Sequence, residues 1–507
     1  MMSRRNLTDL LLLTGAVAAT RFLFRSHFLY DLDSVDFALG MRRFDPHVYQ
    51  PHPPGYFLYI CLGRLFNTIF HDPNLALVAL SILASCGLVL VIYQMALEWF
   101  DQRAARFAGL LFLFSPLAWF HGTVALTYIV GAFFSALFGY LCWHVDRGRP
   151  GFLLPAAIVL GIAAGVRPSS FVFLLPLFLF SVRRTTLPGK ALASAALLLT
   201  LAAWFVPMIV ASGGLKSYFG ALFMLWHLVP GKKTVWNSSP ATSIARAFTI
   251  VFIYVLIFGA ASFAPLGARL RKTPIDPQKK RFTLVWIAPA LCFFTFIFLK
   301  FVNSGYLLIL FAPASLWLGF WISEWYAHAA LSKPLKLALI VGCAALNTLL
   351  FLDSPLYCSY RQVRRFEAEL RSIQATLPQV GPPGNTLIVS FDSHFLGFRH
   401  AGYYLPDYLN VEYPELKLAG GARVFAMQGR DTRLLRTLPL ASYTRFVLFP
   451  LPGNANRYPE YLMKVEDTFP AHSLQTIRFN GQTFVTGPVS DLPYLFPGVD
   501  PGLKRMP

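Results

Sequence analysis

Long apolar stretches separated by short polar ones dominate residues 1 to 352. The stretches run for about 15 to 25 residues, the length that an α-helix needs to cross the hydrocarbon core of a bilayer. The pattern therefore predicts an all-α polytopic membrane domain with about eleven transmembrane helices. The predicted spans are the N-terminal run and residues 74–97, 104–120, 125–143, 151–166, 169–182, 190–211, 243–264, 283–300, 306–323 and 335–352.

The N-terminal run follows Arg4 and Arg5 and is either a cleaved signal peptide or a first membrane helix. Both interpretations place the next loop outside. Basic residues concentrate in the loops that an internal N-terminus keeps in the cytoplasm, most strongly between Arg269 and Arg281. We therefore predict a cytoplasmic N-terminus, and an odd number of spans then places the chain after residue 352 outside.

Residues 53–70 test this orientation because they are long enough to span but contain Arg64 and begin with two prolines. If they crossed the membrane, every later loop would change sides, and the basic loop ending at Arg281 would lie outside. The positive-inside rule disfavours that arrangement. The segment is therefore predicted to be a helix that lies in the membrane interface.

Residues 353–507 differ in character, since proline, glycine and charged residues increase and no run is long enough to span. The apolar runs Thr386 to Phe391 and Phe446 to Phe449 predict buried strands, and Arg361 to Ile373 predicts an amphipathic helix. We expect a small α/β or α+β water-facing domain. The predicted division is thus a membrane domain at 1–352, with a first outside loop at 25–73, and an extracytoplasmic domain at 353–507.

Composition agrees with this division. Of the 507 residues, 56% are hydrophobic and only 13% are charged, which excludes an ordinary soluble domain. The net charge of +20 is explained by the cytoplasmic loops, so a nucleic-acid partner is not expected. The chain beyond Cys358 has no cysteine, which favours a bacterial inner membrane with a periplasmic C-terminal domain.

The first outside loop contains four acids in a chain that has few: Asp31, Asp33, Asp36 and Asp45. One interpretation is a solvated loop whose acids balance nearby arginines. The other is a general base held at the membrane surface, with His52 and the rigid Pro53-Pro54-Gly55 turn forming a second wall. On a helix, Asp33 and Asp36 share a face. Residue patterns alone leave both interpretations open.

The segment DSVDFALG, followed about twenty residues later by HPPGYFLY, resembles the first loop of the glycosyltransferase-C (GT-C) superfamily. Similar families are the protein O-mannosyltransferases, the aminoarabinose transferases and the families with a "DSGEF…HPPGYPLY" pattern. The resemblance implies a membrane glycosyltransferase whose donor sugar is carried on a polyprenyl phosphate. It also implies that Asp33 is catalytic, that Asp36 is the second acid and that His52 lies near the donor phosphate.

Two further places predict donor-phosphate binding. Arg167 lies between two short apolar runs, and an arginine at such a depth is a functional candidate because its burial is costly; an arginine reaching toward lipid headgroups is the alternative. Lys300 and Tyr306 resemble a lysine and a tyrosine segment of the aminoarabinose transferases, although the proline here comes late, at Pro313.

The predicted function is sugar transfer from a polyprenyl-phosphate donor to an acceptor hydroxyl on the outer membrane face, with inversion. The acceptor is a glycan, a lipid or a protein, and the sequence names neither it nor the sugar. No cofactor is certain; a divalent cation beside Asp36 stays open. The alternatives are a transporter or flippase of a lipid-linked or anionic substrate, and a non-catalytic assembly subunit. Residues 391–408, which include His394 and Arg399, are interpreted as a packed aromatic loop or as an acceptor-recognition segment.

Overall fold

A computed structural model of the chain describes residues 4–228, 234–264, 275–299, 301–356, 358–391, 393–418, 421–449, 474–480 and 482–500. The chain divides into two compact units. The first unit consists of Met1–Ser26 and Pro53–Val363, and the second consists of His27–His52 and Arg364–Pro507.

Helices account for most of the first unit and for part of the second. In chain order they are α1 (Arg4–Leu23), α2 (Leu32–Arg42), α3 (Phe57–Phe70), α4 (Pro73–Trp99), α5 (Gln102–Leu113), α6 (Pro116–His121), α7 (Tyr128–Asp146), α8 (Leu153–Val166), α9 (Ser169–Val182), α10 (Leu187–Ala211), α11 (Leu215–Leu228), α12 (Pro240–Phe258), α13 (Pro277–Phe296), α14 (Phe311–His328), α15 (Lys333–Asp353), α16 (Tyr360–Val380), α17 (Phe398–Tyr404) and α18 (Leu492–Leu495). Short 3₁₀ turns precede or extend several of them, among them Phe301–Leu310 before α14.

Six helical segments within the described ranges are long and apolar enough to cross a membrane. They are Pro73–Trp99, Tyr128–Asp146, Leu187–Ala211, Pro240–Phe263, Ser304–His328 and Lys333–Asp353. The other predicted spans are also helical, but they are shorter, interrupted or charged. The span predicted at 104–120 is broken before Pro116, and α13 has three basic residues in its first two turns. Six helices in the described ranges thus support the predicted polytopic membrane domain, and the count of about eleven spans stays a prediction.

Helix α3 occupies the segment predicted to lie in the membrane interface. Its 14 residues extend about 21 Å, which is short of the roughly 30 Å hydrocarbon core. Tyr59, Ile60 and Gly63 are buried on one side, whereas Leu65 and Ile69 are exposed on the other. The predicted helix is present, and its place at a membrane surface stays a prediction.

A mixed β-sheet forms the centre of the second unit. Its strands are β1 (Thr386–Phe391), β2 (Asn410–Tyr413), β3 (Leu416–Leu418), β4 (Gly421–Gln428), β5 (Asp431–Leu435), β6 (Arg445–Phe449), β7 (Gln475–Phe479) and β8 (Gln482–Pro488). The strand order is β3-β4-β2-β1-β6-β8-β7, and β5 pairs with β4. This arrangement confirms the predicted small α/β or α+β domain.

The central strand β1 pairs in parallel with β2 and β6. All six of its residues are buried, as expected for a parallel strand covered on both faces. The other pairings, between β2 and β4, β3 and β4, β4 and β5, β6 and β8, and β7 and β8, are antiparallel. The sheet core includes Leu387, Val389, Val411 and Phe446, so the apolar runs that predicted the strands also form the core.

The first loop belongs to the second unit together with the C-terminal chain, and the predicted domain boundary at residue 353 stays a prediction. The His27 N–H donates to Glu367 Oε1 at 2.6 Å, and the Leu29 N–H donates to the Tyr404 hydroxyl at 2.7 Å. The Leu32 N–H donates to the carbonyl of His394 at 3.0 Å. These contacts satisfy backbone donors of the loop, and their partners lie more than 300 residues away, where local sequence carries no signal.

Candidate active site

Helix α2 places Asp33 and Asp36 on one face, since they are three residues apart. The helix begins at Leu32, and Asp31 is its N-cap. The carboxylate of Asp31 accepts the backbone N–H of Asp33 at 3.0 Å, which satisfies one of the free donors of the first turn. The short polar side chain of Asp31 therefore fixes where the helix starts and which way Asp33 points.

A tight turn brings His52 back onto α2. Asp45 and Gln50 exchange backbone hydrogen bonds of 2.6 and 3.0 Å, and Tyr49 adopts a left-handed conformation at φ 57°. Pro51 then packs against Gly40, where a Cβ atom would lie 2.7 Å from Pro51 Cδ. Only glycine permits this approach, and it brings the chain to α2 one turn after Asp36.

His52 lies between the two carboxylates. Its Nδ1 is 3.6 Å from Oδ1 of Asp33 and 3.5 Å from Oδ2 of Asp36. The imidazole ring also packs against the ring of Phe37, with centroids 5.9 Å apart. The three predicted residues Asp33, Asp36 and His52 are thus brought together.

Two residues from the C-terminal part of the chain complete this group. Arg399, on α17, places Nε 3.1 Å from Oδ1 of Asp36. His394, in the loop after β1, places Nδ1 3.6 Å from Oδ2 of Asp31. We call Asp31, Asp33, Asp36, His52, His394 and Arg399 the carboxylate cluster.

Burial distinguishes the two central acids. The side chain of Asp36 is 2% exposed and that of Asp33 is 18% exposed. Burial raises the pKa of Asp33 to about 6, with Asp31 and Asp36 adding to the rise and His52 opposing it. Asp33 is therefore the acid that reaches solvent and can change protonation near neutral pH, as a general base requires.

The environment favours the charged forms of His52 and Asp31. Burial alone would lower the pKa of His52, but the carboxylates of Asp33 and Asp36 outweigh it and raise that pKa. Burial would raise the pKa of Asp31, but its contact with His394 outweighs this and lowers it. His400 behaves differently: burial lowers its pKa to about 4, and its Nε2 lies 3.1 Å from the carbonyl oxygen of Tyr30. It is therefore a neutral residue that donates to the loop backbone.

Asp33, Asp36 and His52 also present one ligand atom each within 4.8 Å of one another. Carboxylate and imidazole atoms at this spacing suit a divalent transition metal. Such an ion would compete with the proton on His52 and with the guanidinium of Arg399, which already faces Asp36. The carboxylate–imidazolium pairing explains the same atoms without an ion, so the predicted divalent cation stays open.

The first unit holds a second polar group around Arg167, between α8 and α9. Arg167 is 8% exposed, and its Nη1 donates to Oγ1 of Thr127 at 2.9 Å. Its guanidinium carbon lies 4.3 Å from the ring centroid of Tyr128 and 4.9 Å from that of Tyr306. We call Thr127, Tyr128, Arg167 and Tyr306 the arginine–tyrosine cluster.

A cavity of about 130 Å³ adjoins this cluster. Its wall includes Pro54, Tyr56, Arg167, Ser169, Phe294 and Tyr306. A guanidinium is the side chain best suited to bind phosphate oxygens through paired N–H groups. The cavity therefore combines an anion-binding group with apolar and aromatic walls.

The structure brings the predicted site residues into two groups. Asp33, Asp36 and His52 lie in the carboxylate cluster, and Arg167 lies with Tyr306 in the arginine–tyrosine cluster. Lys300 lies outside the described residues. The roles assigned to these six residues from the sequence stay predictions.

The sequence did not predict that Arg399 and His394 belong to the carboxylate cluster. Both lie in the segment that was interpreted as a packed aromatic loop or as an acceptor-recognition segment. One signal was present: both residues follow a continuous apolar run that predicts a buried strand. In parallel sheets, binding groups gather outside the carboxyl ends of such strands.

Comparisons with known proteins agree with this architecture. Residues 51–211 match the family model described as dolichyl-phosphate-mannose-protein mannosyltransferase. No curated protein sequence matches the chain.

Among solved structures, the chain is similar to ArnT from Cupriavidus metallidurans bound to undecaprenyl phosphate. The identity is 13%, the match covers 94% of this chain and 97% of that chain, and the TM-score is 0.58. The apo state of the same protein matches at 12% identity over 96% and 98% of the two chains, with a TM-score of 0.55. The family-model match and the ArnT-like fold confirm the predicted resemblance to membrane glycosyltransferases of GT-C type.

Proposed function

We propose that this protein is a membrane glycosyltransferase that moves a sugar from a polyprenyl-phosphate donor to an acceptor hydroxyl on the outer face of the membrane. The observation that carries the proposal is Asp33, a partly exposed carboxylate whose pKa is raised to about 6 among paired charges. The family-model match and the ArnT-like fold support the reaction class and the lipid-linked donor.

In the proposed reaction, Asp33 accepts the proton of the acceptor hydroxyl while its oxygen attacks the anomeric carbon of the sugar. A new glycosidic C–O bond forms and the bond between the anomeric carbon and the phosphate oxygen breaks. The electron pair of that bond leaves with the polyprenyl phosphate. One displacement inverts the anomeric configuration.

The leaving phosphate gains negative charge during this step, so a fixed cation near it lowers the barrier. We assign that role to Arg167 with Tyr306, and Lys300, outside the described residues, stays a predicted donor-phosphate residue. We keep His52, whose imidazole contacts Asp33 and Asp36, as a residue proposed to act near the donor phosphate.

Location and orientation are part of the proposal. The apolar helices mark a multi-pass membrane protein. We infer that it lies in the bacterial inner membrane, with a cytoplasmic N-terminus and a periplasmic second unit, because the basic loops follow the positive-inside rule. The acceptor is a glycan, a lipid or a protein that presents a hydroxyl on that side.

The competing function is transport or flipping of a lipid-linked or anionic substrate. Transporters place ionisable residues within their spans. Within the described ranges, the residues of the carboxylate cluster belong to the second unit and lie on none of the six apolar helices. The absence of this cluster from the long apolar helices favours catalysis.

The test uses the purified full chain in phospholipid vesicles, with polyprenyl-phosphate sugars labelled in the sugar and a membrane-extract acceptor fraction. Transfer predicts release of unlabelled polyprenyl phosphate and a label bound covalently to the acceptor. Movement of intact donor between leaflets, with no bond broken, would reject the transferase. A parallel assay with a chelator decides whether a divalent cation takes part.

A further inference from the structure

Arg399 is one of the most deeply buried cations in the second unit, with a side chain 4% exposed. It lies in the first turn of α17, which follows β1 and its loop. A buried guanidinium is costly unless its donors are satisfied. The partners of Arg399 therefore show what it stabilises.

Three acceptors from three segments surround this guanidinium. Nε faces Oδ1 of Asp36 at 3.1 Å. Nη1 lies 3.2 Å from the carbonyl oxygen of Val48 and 3.3 Å from Oγ1 of Thr432. Aromatic rings complete the environment, including that of Tyr49 at 5.5 Å from the guanidinium carbon.

These contacts hold both ends of the segment that carries the site. Asp36 lies on α2, and Val48 belongs to the turn that returns the chain to α2. Gln50 reaches the same anchor, since its Nε2 donates to Oγ1 of Thr432 at 2.9 Å. His52 follows two residues later and contacts Asp33 and Asp36. Displacement of Arg399 would therefore release Asp36, the turn and the orientation of His52 together.

We propose that Arg399 is a positioning residue for sugar transfer. It fixes Asp36 and the turn before His52, and through these contacts it fixes the orientation of the Asp33 carboxylate. Its polar contacts in the described residues are with Asp36, Val48 and Thr432, and it acts through them. This inference rests on the proposed function, because its readout is the turnover that Asp33 supports. The C-terminal part of the chain is then a component of the catalytic machinery.

A purely structural ion pair would give a different result. If Arg399 only stabilised the fold, its loss would reduce the amount of folded protein and leave turnover per folded molecule unchanged. A positioning residue lowers kcat while the KM of the donor stays nearly constant, since the interaction matters in the transition state. The kcat and KM of each variant therefore separate the two roles.

The experiment compares the variants R399Q, R399K, D36N and the double variant D36N/R399Q with R433Q. Arg433 is the matched control, because its side chain is 71% exposed and pairs with Asp431. We expect R399Q to lower kcat about 100-fold with the donor KM within about threefold. R399K should recover only part of this loss, since an ammonium cannot reproduce the fixed fork of donors.

The double variant tests whether Arg399 acts through Asp36. We expect D36N/R399Q to lose clearly less than the product of the two single losses, because residues that act as one unit are not additive. Normal kcat in R399Q, or losses that multiply in the double variant, would overturn the inference. Circular dichroism melting and monodisperse elution in detergent report the folded fraction of each variant.

If R399Q fails to fold, Thr432→Val removes the hydroxyl shared by Arg399 and Gln50 and leaves the guanidinium in place. We expect a fall in kcat of about fivefold with an unchanged donor KM, and unaltered kcat would equally overturn the inference. The two levels of failure are distinguishable. An active D33N variant rejects the proposed function itself, whereas an inactive D33N with fully active R399Q and T432V rejects only the role of Arg399.

Discussion

The carboxylate cluster and the arginine–tyrosine cluster differ in whether their buried charged groups contact a group of opposite charge. In the first, each acid has a basic neighbour: His394 for Asp31, His52 for Asp33, and His52 with Arg399 for Asp36. In the second, Arg167 contacts a hydroxyl and two aromatic rings, and within the described ranges it forms no ion pair with a carboxylate.

The difference indicates that the two clusters have different functions. In a charge-balanced cluster, the transfer of one proton changes the electrostatic free energy little, so such a cluster suits acid–base chemistry. A buried guanidinium without a carboxylate costs free energy that cation–π contacts offset only in part. Such a cation is best explained by an anionic ligand that completes it. We therefore expect chemistry to depend on the first cluster and donor binding to depend on the second.

The largest expected effect follows from Asp33→Asn. The amide keeps the shape of the side chain but cannot accept the proton, so we expect kcat to fall by about 1,000-fold or more. The donor KM should stay near the wild-type value. Turnover of labelled donor by detergent-purified protein measures this.

Asp45→Asn is the matched control for that change, because Asp45 lies in the same loop with its side chain 28% exposed and outside the carboxylate cluster. We expect nearly wild-type turnover from it. Near-normal kcat in the Asp33 variant would reject Asp33 as the base.

The next effect comes from Arg167→Gln, which removes the charge of the arginine–tyrosine cluster. We expect the donor KM to rise about 30-fold, because a charge-assisted contact to phosphate is lost. Arg167→Lys should recover part of the affinity. Arg183→Gln serves as the control, because the side chain of Arg183 is 40% exposed. An unchanged donor KM in Arg167→Gln would show that the arginine–tyrosine cluster does not bind the donor phosphate.

The pH dependence follows from the raised pKa of Asp33. The carboxylate must be ionised to act as base, so kcat/KM should fall tenfold per pH unit below about pH 6 and level off above it. An ordinary aspartate would keep its activity to about pH 4. Initial rates measured between pH 4.5 and 8 separate these outcomes, and recovery of activity after return to neutral pH checks that the protein is stable. A plateau of kcat/KM that continues to pH 4.5 would contradict the assignment.

The smallest effect concerns Tyr306→Phe. The ring that faces Arg167 at 4.9 Å remains, so most of the cation–π attraction remains with it. We expect the donor KM to change less than about threefold, whereas Tyr306→Ala, which removes the ring, should raise it more. Equal effects of both variants would indicate that the hydroxyl, and not the ring, contributes.

Short-range patterns explain what the sequence could predict. The three-residue spacing of Asp33 and Asp36 predicted their shared helix face, and continuous apolar runs predicted β1 and β6. The amphipathic pattern between residues 361 and 373 predicted the helix found at Tyr360–Val380. In each case the signal and the structure lie within the same few residues.

Long-range contacts explain what the sequence could not predict. Arg399 and Asp36 are 363 positions apart in the numbering, and nothing near either residue specifies the other. The grouping of the first loop with the C-terminal unit depends on similar contacts, such as His27 with Glu367. The predicted number of spans stays a prediction, because the break before Pro116 and the basic residues near the start of α13 leave those segments outside the length and composition criteria that six helices meet.

The central claim is that the carboxylate cluster carries the chemistry and the arginine–tyrosine cluster binds the donor. Its most direct test measures donor binding and single-turnover transfer in the same preparations of the variants D33N and R167Q. We predict that D33N binds labelled polyprenyl-phosphate sugar as wild type does but transfers it at least about 1,000-fold more slowly. We predict that R167Q binds it about 30-fold more weakly but transfers the bound fraction far faster than D33N does. Equal loss of binding and of transfer in both variants would contradict the account.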